Sequence, residues 1–285
     1  MPRNVSANEL RAPFDIKARE GLVRARYGED SPKELAWSDA IELMMGHRSV
    51  RSYRNDPLPA GTLEGLIAAA QSAATSSNMQ SWSVVAIEDQ PRRDRMAALA
   101  GGQAHISQCP LFLVFLADIS RHERVAAGSG RKLYSDYVEM FVVATIDAAL
   151  AAQNAALAAE SLGLATLFVG AMRNDPVALA QELNLPEKTV CVFGLCVGYA
   201  DDSTTAAIKP RLPQSAVLHR ELYDISRESE SLQRYDETLR RFTKTYDSSA
   251  YSWTERLYTR MADMSYLQGR ERFRFALLER GFPLL

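Results

Sequence analysis

The sequence predicts an α+β protein, and three observations carry that reading. An alanine-rich stretch at 142–164, VVATIDAALAAQNAALAAESLGL, holds nine alanines and no proline, and its first glycine is Gly163. Alanine is the best helix former, so this is one long helix, apolar on nearly every side and therefore buried. Two short runs, LFLVFLAD (111–118) and TVCVFGLCVGYA (189–200), are apolar enough that both faces must be covered, as in central strands. Around them lie many segments with helical spacing. The long helix has the length of a membrane span, but Asp147, Gln153, Asn154 and Glu160 interrupt the apolar run, which favours a core helix of a soluble domain.

The remaining elements follow in order. Residues 1–37 are charged and weakly periodic and read as an N-terminal extension with one short helix near 18–26; the domain proper runs over 38–285. Ser38 caps a helix through Met45, with Gly46 as its stop. A turn at Asp56-Pro57 precedes a helix over 60–72, where Leu63, Leu66, Ile67 and Ala70 recur at helical spacing. TSSNMQSW (75–82) is a polar loop and SVVAIED (83–89) a strand; a helix over 91–100 ends at Gly101-Gly102. Residues 122–132, charged and containing Gly and Ser, are expected to form an exposed mobile loop. After Gly163, ATLFVGAMRN is a strand running into a turn, 176–183 a short helix, and KPRLP (209–213) a rigid extended segment. Three further helices are expected near 229–244, 252–264 and 269–279. No internal repeat is present.

At 285 residues the chain suits one large domain or two small ones, and its formal charge of −2 argues against a nucleic-acid surface. The three cysteines, Cys109, Cys191 and Cys196, form no CxxC pair and read as small buried hydrophobes of a reducing compartment. The four histidines are scattered, which argues against a metal site. The first residues lack the apolar core of a secretion signal, so a cytoplasmic enzyme or binding protein is expected.

Four separated stretches carry the chemistry. His47-Arg48-Ser49-Val50-Arg51 gathers two guanidiniums, an imidazole and a hydroxyl directly after a helix. Arginine pairs bidentately with phosphate, which points to a phosphorylated ligand; a solvated charge cluster is the plainer reading. Thr75-Ser76-Ser77-Asn78 either donates to a ligand or closes a turn. Gly170, after a buried strand, lets backbone approach a ligand or simply marks a strand end. Lys209-Pro210-Arg211 holds two cations apart by a proline and can clamp a phosphate or lie on a surface loop. Neither GxGxxG nor GxxxxGK[ST] occurs, so the usual dinucleotide and triphosphate folds are not supported.

Taken together, GHRSVRSY (46–53), ATSSNMQSW (74–82), GGQ (101–103), FLADISRH (115–122), AAQNAALAAESLGL (151–164), FVGAMRN (168–174), FGLCVGY (193–199) and KPRLP (209–213) resemble the nitroreductase family of FMN enzymes. The likeness is to its branch of NADPH-preferring nitroreductases and flavin reductases. It runs from about residue 40 to near the C-terminus.

The resemblance implies a central, mostly antiparallel sheet flanked by helices, and a homodimer with the long helix at its interface and two FMN sites there. The small residues of that helix would let two copies pack closely. His47, Arg48, Lys209 and Arg211 would surround the FMN phosphate. Ser49, Val50 and Arg51 would lie on the pyrimidine side of the ring, where Arg51 stabilises the negative charge that reduction places near N1 and O2. Thr75, with Ser76 or Ser77, would bond ribityl or phosphate oxygens, and Gln103 the ring's polar edge. Phe168, Val169, Gly170 and Ala171 would supply backbone contacts near N5. The implied activity is ping-pong reduction of nitroaromatics, quinones or flavins by NADPH or NADH. Alternatives are a flavin reductase feeding a partner enzyme and a non-catalytic flavin-binding sensor.

Two positions depart from the family pattern: Ala171 where a second glycine is common, and Phe168 where tyrosine is frequent. The loop expected to read the 2′-phosphate of NADPH, TYDSSAYSW (245–253) after Tyr235-Asp236-Glu237, contains no arginine. Arg260, Arg270 or Arg272 could substitute, so both coenzymes remain open as donors.

Overall fold

The computed structural model describes residues 16–201, 203, 206–226, 228–247 and 250–285. Along the chain run α1 (Ile16–Tyr27), α2 (Asp39–Gly46), α3 (Thr62–Gln71), β1 (Trp82–Ile87), α4 (Gln90–Leu99), α5 (Ala104–Gln108), β2 (Leu111–Asp118), α6 (Ser120–Gly128) and α7 (Val138–Ser161). There follow β3 (Ala165–Val169), α8 (Pro176–Glu182), β4 (Thr189–Gly198), α9 (Glu228–Tyr246), α10 (Trp253–Met261) and α11 (Phe273–Glu279). Two compact units are distinguished, Met1–His47 with Ala207–Arg256, and Arg48–Ala206 with Leu257–Leu285.

The larger unit is built on a four-stranded sheet in the order β1-β2-β4-β3, every pair antiparallel. All eight residues of β2 are buried. The alternation along this strand shows why both faces are apolar. Leu111, Leu113 and Phe115 pack with α3 and the alanines of α7, while Phe112, Val114 and Leu116 pack with Met96, Ile106, Met172 and Leu179 from the opposite side. Helices therefore cover both faces, as the unbroken apolar run requires.

α7 buries Ala144, Ala148, Ala151, Ala152, Ala155, Ala156 and Ala159 along one stripe, together with Asp147. These small side chains let the helix axis lie close to the sheet. The expected all-round burial is not what the chain itself achieves. On the other side Val138, Val142, Ile146 and Leu150 are between 42% and 51% exposed, at the four-residue spacing of a single helix face. The alanines thus serve the approach of α7 to its own sheet, a correction to their expected role between two copies.

Local signals set the helix ends. The Ser38 hydroxyl accepts from the Ile41 amide at 3.3 Å, opening α2. Asp89 and Asp175 do the same for α4 and α8, each with proline in the first turn. Gly163, at φ +76°, reverses the chain after α7. One expectation fails: most of 122–132 is helical, as α6, rather than a mobile loop. Alanine, Glu and Arg in SRHERVAAG favour a helix, and the Asp118 carboxylate accepts from the Ser120 amide at 2.9 Å at its start. Only the Gly-Ser-Gly at 128–130 ends it.

The smaller unit contains α1, α2, α9 and the 207–213 segment. Tyr235 and Leu239 of α9 are buried, and the Tyr235 hydroxyl donates to the Pro210 carbonyl at 3.0 Å. The three cysteines are free and buried, as expected of structural thiols. Burial pushes the Cys191 thiol up to about 12, so it is chemically quiet at neutral pH.

Asp118 is 6% exposed. Burial raises its carboxyl, but hydrogen bonds from Ser120 (2.6 Å), Ser83 (2.5 Å) and Thr189 (3.1 Å), with the Arg121 charge, outweigh that and hold it below its ordinary value of 3.8. A carboxylate depressed in the folded state adds stability above its unfolded value, and that stability is lost as pH falls through the folded one. Urea unfolding at about pH 3 and about pH 6 should show a smaller acid-induced loss of stability for Asp118→Asn than for the parent. An equal loss would remove Asp118 from the account of acid sensitivity.

Candidate functional site

In the smaller unit, His47 and the Lys209–Arg211 segment are tied to one residue of α1. The Arg26 side chain donates to the carbonyls of Met45 at 3.0 Å, His47 at 2.5 Å and Lys209 at 2.9 Å. Its own carbonyl accepts from the Arg211 amide at 2.8 Å. Arg26 is 5% exposed, whereas the Arg211 side chain reaches the surface. His47, Lys209 and Arg211 are thereby brought to a common backbone anchor. Sequence reasoning placed Arg26 in an N-terminal extension to which it assigned no role, and no local pattern marks it.

In the larger unit the residues after His47 are pinned to the sheet. Ser49 bridges Thr166, the Val50 amide donates to the Thr166 carbonyl at 3.1 Å, and Tyr53 bridges Ala200. Val50 and Tyr53 are buried, which leaves Arg48, Ser49 and Arg51 facing outward. Thr166 is held in turn by its hydroxyl, which donates to Glu160 at 2.7 Å. The strip is a rigid edge with exposed cations.

The 75–81 loop is held from two sides. The Asp147 carboxylate, 2% exposed, accepts from the Thr75 hydroxyl (2.6 Å), the Ser76 amide (3.1 Å) and the Ser81 amide (3.0 Å). His122 Nε2 lies 2.8 Å from the Met79 carbonyl, and Arg121 donates to the Gln80 carbonyl at 3.3 Å. Between these anchors Ser77, Asn78 and Gln80 take positive φ of 48°, 56° and 52°. Such backbone is uncommon outside glycine and persists where its surroundings impose it. The Thr75 hydroxyl already donates to Asp147 and accepts from the Gln80 amide at 2.9 Å. Ser76 and Ser77 are the exposed hydroxyls.

Gln103 directly precedes α5, and His105 follows one residue on. Burial, then the Arg51 charge, lowers the His105 pKa from its ordinary value. At the end of β3, Phe168 is 37% exposed and meets Phe193 edge-on at 5.4 Å. Val169 is buried, and Gly170 and Ala171 open a turn. A Cβ on Gly170 would come within 3.4 Å of the Arg173 guanidinium, which donates to the Val192 carbonyl. The Arg173 cation, at the end of the stretch that the sequence singles out from Gly163, therefore underlies this turn.

The arginines considered for a coenzyme phosphate differ among themselves. Arg260 lies over the Tyr266 ring at 3.8 Å, and Arg270 donates to the carbonyls of Leu267 and Tyr266 at 2.7 and 2.8 Å. Arg272 is exposed. Ser248 and Ser249 of the 245–253 loop lie outside the described residues. Among the described residues, no cluster of His, Cys, Asp and Glu is arranged to hold a metal.

Comparison with known proteins adds two family matches. The model described as "Nitroreductase family" matches residues 44–199, and "Nitroreductase family, C-terminal domain" matches 209–285. The chain is 36% identical over 203 residues to "FMN reductase (NADPH)" of Bacillus subtilis, covering 70% of this chain and 81% of that protein. It is also 36% identical over 212 residues to "Oxygen-insensitive NADPH nitroreductase" of Salmonella typhimurium, covering 74% and 85%. Among solved structures, B. megaterium NfrA2 aligns with a TM-score of 0.81 at 34% identity, over 87% of this chain and 100% of that one.

The Asp147 anchor generates a direct expectation. In Asp147→Ala, the Thr75 hydroxyl and two amides lose their acceptor, costing roughly 2–4 kcal/mol of stability. Hydrogen–deuterium exchange should accelerate at Ser76 and Ser81. Unchanged exchange at both amides would show that the carboxylate does not hold the loop.

Proposed function

This chain belongs to the nitroreductase family, and from that premise we propose that it is an FMN-dependent NAD(P)H oxidoreductase reducing nitroaromatic, quinone or flavin acceptors. Bound FMN would supply the two-electron chemistry that links NADPH or NADH to the acceptor, in ping-pong order. The protein's work is to hold, orient and electrostatically bias the cofactor. The observation that carries the reading is the anchoring of His47, Lys209 and Arg211 on one residue, with Arg48 next in the chain. A set of three permanent cations and an imidazole suits a phosphate monoester, since Arg presents a fork matched to phosphate oxygens and Lys a point charge.

The remaining assignments are those the family resemblance implies, and the local chemistry suits them. Arg51, exposed on a rigid strip, stabilises negative charge arriving at the pyrimidine side of the ring, with Ser49, the Val50 backbone and Gln103 bonding its polar edge. Ser76 and Ser77 take the direct ribityl contacts, because the Thr75 proton is engaged by Asp147. The backbone at Phe168, Val169, Gly170 and Ala171 would supply the contacts near N5, which neither departure from the family pattern obstructs, since backbone groups survive a side-chain change.

Purified protein should be yellow, and anaerobic NADH or NADPH should bleach it. A protein that is colourless and cannot be reconstituted with FMN would sink the flavin reading. Bleaching by neither coenzyme would leave a flavin-binding sensor.

The proposal includes a homodimer and a cytoplasmic location. The free, buried cysteines support the latter. The former is supported by the outward stripe Val138, Val142, Ile146 and Leu150 on α7. Each such side chain contributes roughly 1.5–3 kcal/mol when fully covered, so a second copy of the same stripe is a strong partner. Ile146→Glu should run as a monomer in analytical ultracentrifugation while the parent runs as a dimer. A variant that stays dimeric would place the interface elsewhere.

A further inference from the structure

α1 lies outside both family matches, which begin at residues 44 and 209, yet its Arg26 is among the most deeply buried cations of the described residues. A buried guanidinium costs several kcal/mol of desolvation and persists only where its donors are well used. Here three donations reach backbone carbonyls at Met45, His47 and Lys209. Met45 and His47 stand at the C-terminal end of α2, where carbonyls lack helical partners and the helix dipole favours a cation. Lys209 is 183 residues from Arg26 in sequence. One planar fork thus closes the end of α2 and fixes the KPRLP segment beside it. The Arg26 carbonyl, accepting from Arg211, adds a fourth connection.

We propose that Arg26 is the positioning residue of the phosphate clamp, through which the N-terminal extension sets the spacing of His47 against Lys209 and Arg211. The inference rests on the flavin reading above and adds to it a residue outside the matched family ranges. Arg26 need not touch the ligand. Its hydrogen bonds fix the backbones that carry the cations, and its buried charge reinforces their field. Lys209 and Arg211 alternate with a proline whose φ is restricted, so anchoring the Lys209 carbonyl and the Arg211 amide leaves the segment little freedom. Without Arg26 the same cations would remain in the sequence but would no longer be preorganised around one anion.

The test uses the full chain, stripped of flavin, with FMN and riboflavin as probes that differ only in the phosphate. The parent should bind FMN much more tightly than riboflavin. Arg26→Met should weaken FMN about tenfold or more while riboflavin affinity changes by less than about twofold, the direction expected of Lys209→Ala with Arg211→Ala. Arg26→Lys keeps the charge but not the fork and should recover only part of the loss; it also supplies the readout if Arg26→Met does not fold. Arg19→Ala loosens α1 elsewhere, by removing the donation to the Leu35 carbonyl at 2.6 Å, and should leave the FMN-to-riboflavin ratio unchanged. Equal weakening of both flavins, or no weakening, overturns the proposal. A parent that binds neither flavin, or binds both equally, fails the underlying phosphate reading instead, whatever Arg26 does.

Discussion

The larger unit depends on how closely α7 can approach its sheet. A strand as apolar as β2 must be sealed on both faces, and on one of them the seal is a helix presenting seven alanines. Larger side chains there would hold the helix away and leave gaps beside Leu111, Leu113 and Phe115. The same close approach makes Asp147 possible. A lone carboxylate in that buried stripe needs partners within hydrogen-bond reach, and it finds them in the Thr75 hydroxyl and the Ser76 and Ser81 amides. A packing element therefore doubles as the anchor of the 75–81 loop.

Electrostatics elsewhere follows one rule: charges are placed on backbone held by hydrogen bonds to distant segments. Arg51 lies on a strip whose neighbours Val50 and Tyr53 are buried and bridged to the sheet or to the segment after it. Lys209 and Arg211 are held through their backbones by Arg26. Arg173 fills the space under Gly170 and is fixed on the Val192 carbonyl. Charges held in this way suit an anionic ligand, because fixed dipoles and cations need not rearrange when negative charge arrives.

Much of this was legible in the sequence. The alanine count, the apolar runs, the helical spacings and the Ser38 cap located the main helices and buried strands to within a few residues. Motif order gave the family, whose two matches cover 44–199 and 209–285. What misled was composition read without context. Residues 122–132 looked like a loop because they are charged and hold Gly and Ser, yet the helix-forming residues before Gly128 and the Asp118 carboxylate at the start prevail. The alanines of α7 suggested close approach correctly, but toward the wrong neighbour.

The sequence by itself determined most of the helices and strands and which side chains carry charge, because periodicity and capping are local signals. Tertiary structure alone decided which backbone those charges rest on. Arg26 meets Lys209 across 183 residues and Asp147 meets Thr75 across 72, and neither pairing leaves a mark within either segment. Hydrogen bonds between distant segments depend on how the chain returns to itself, and that is fixed by packing of the whole core.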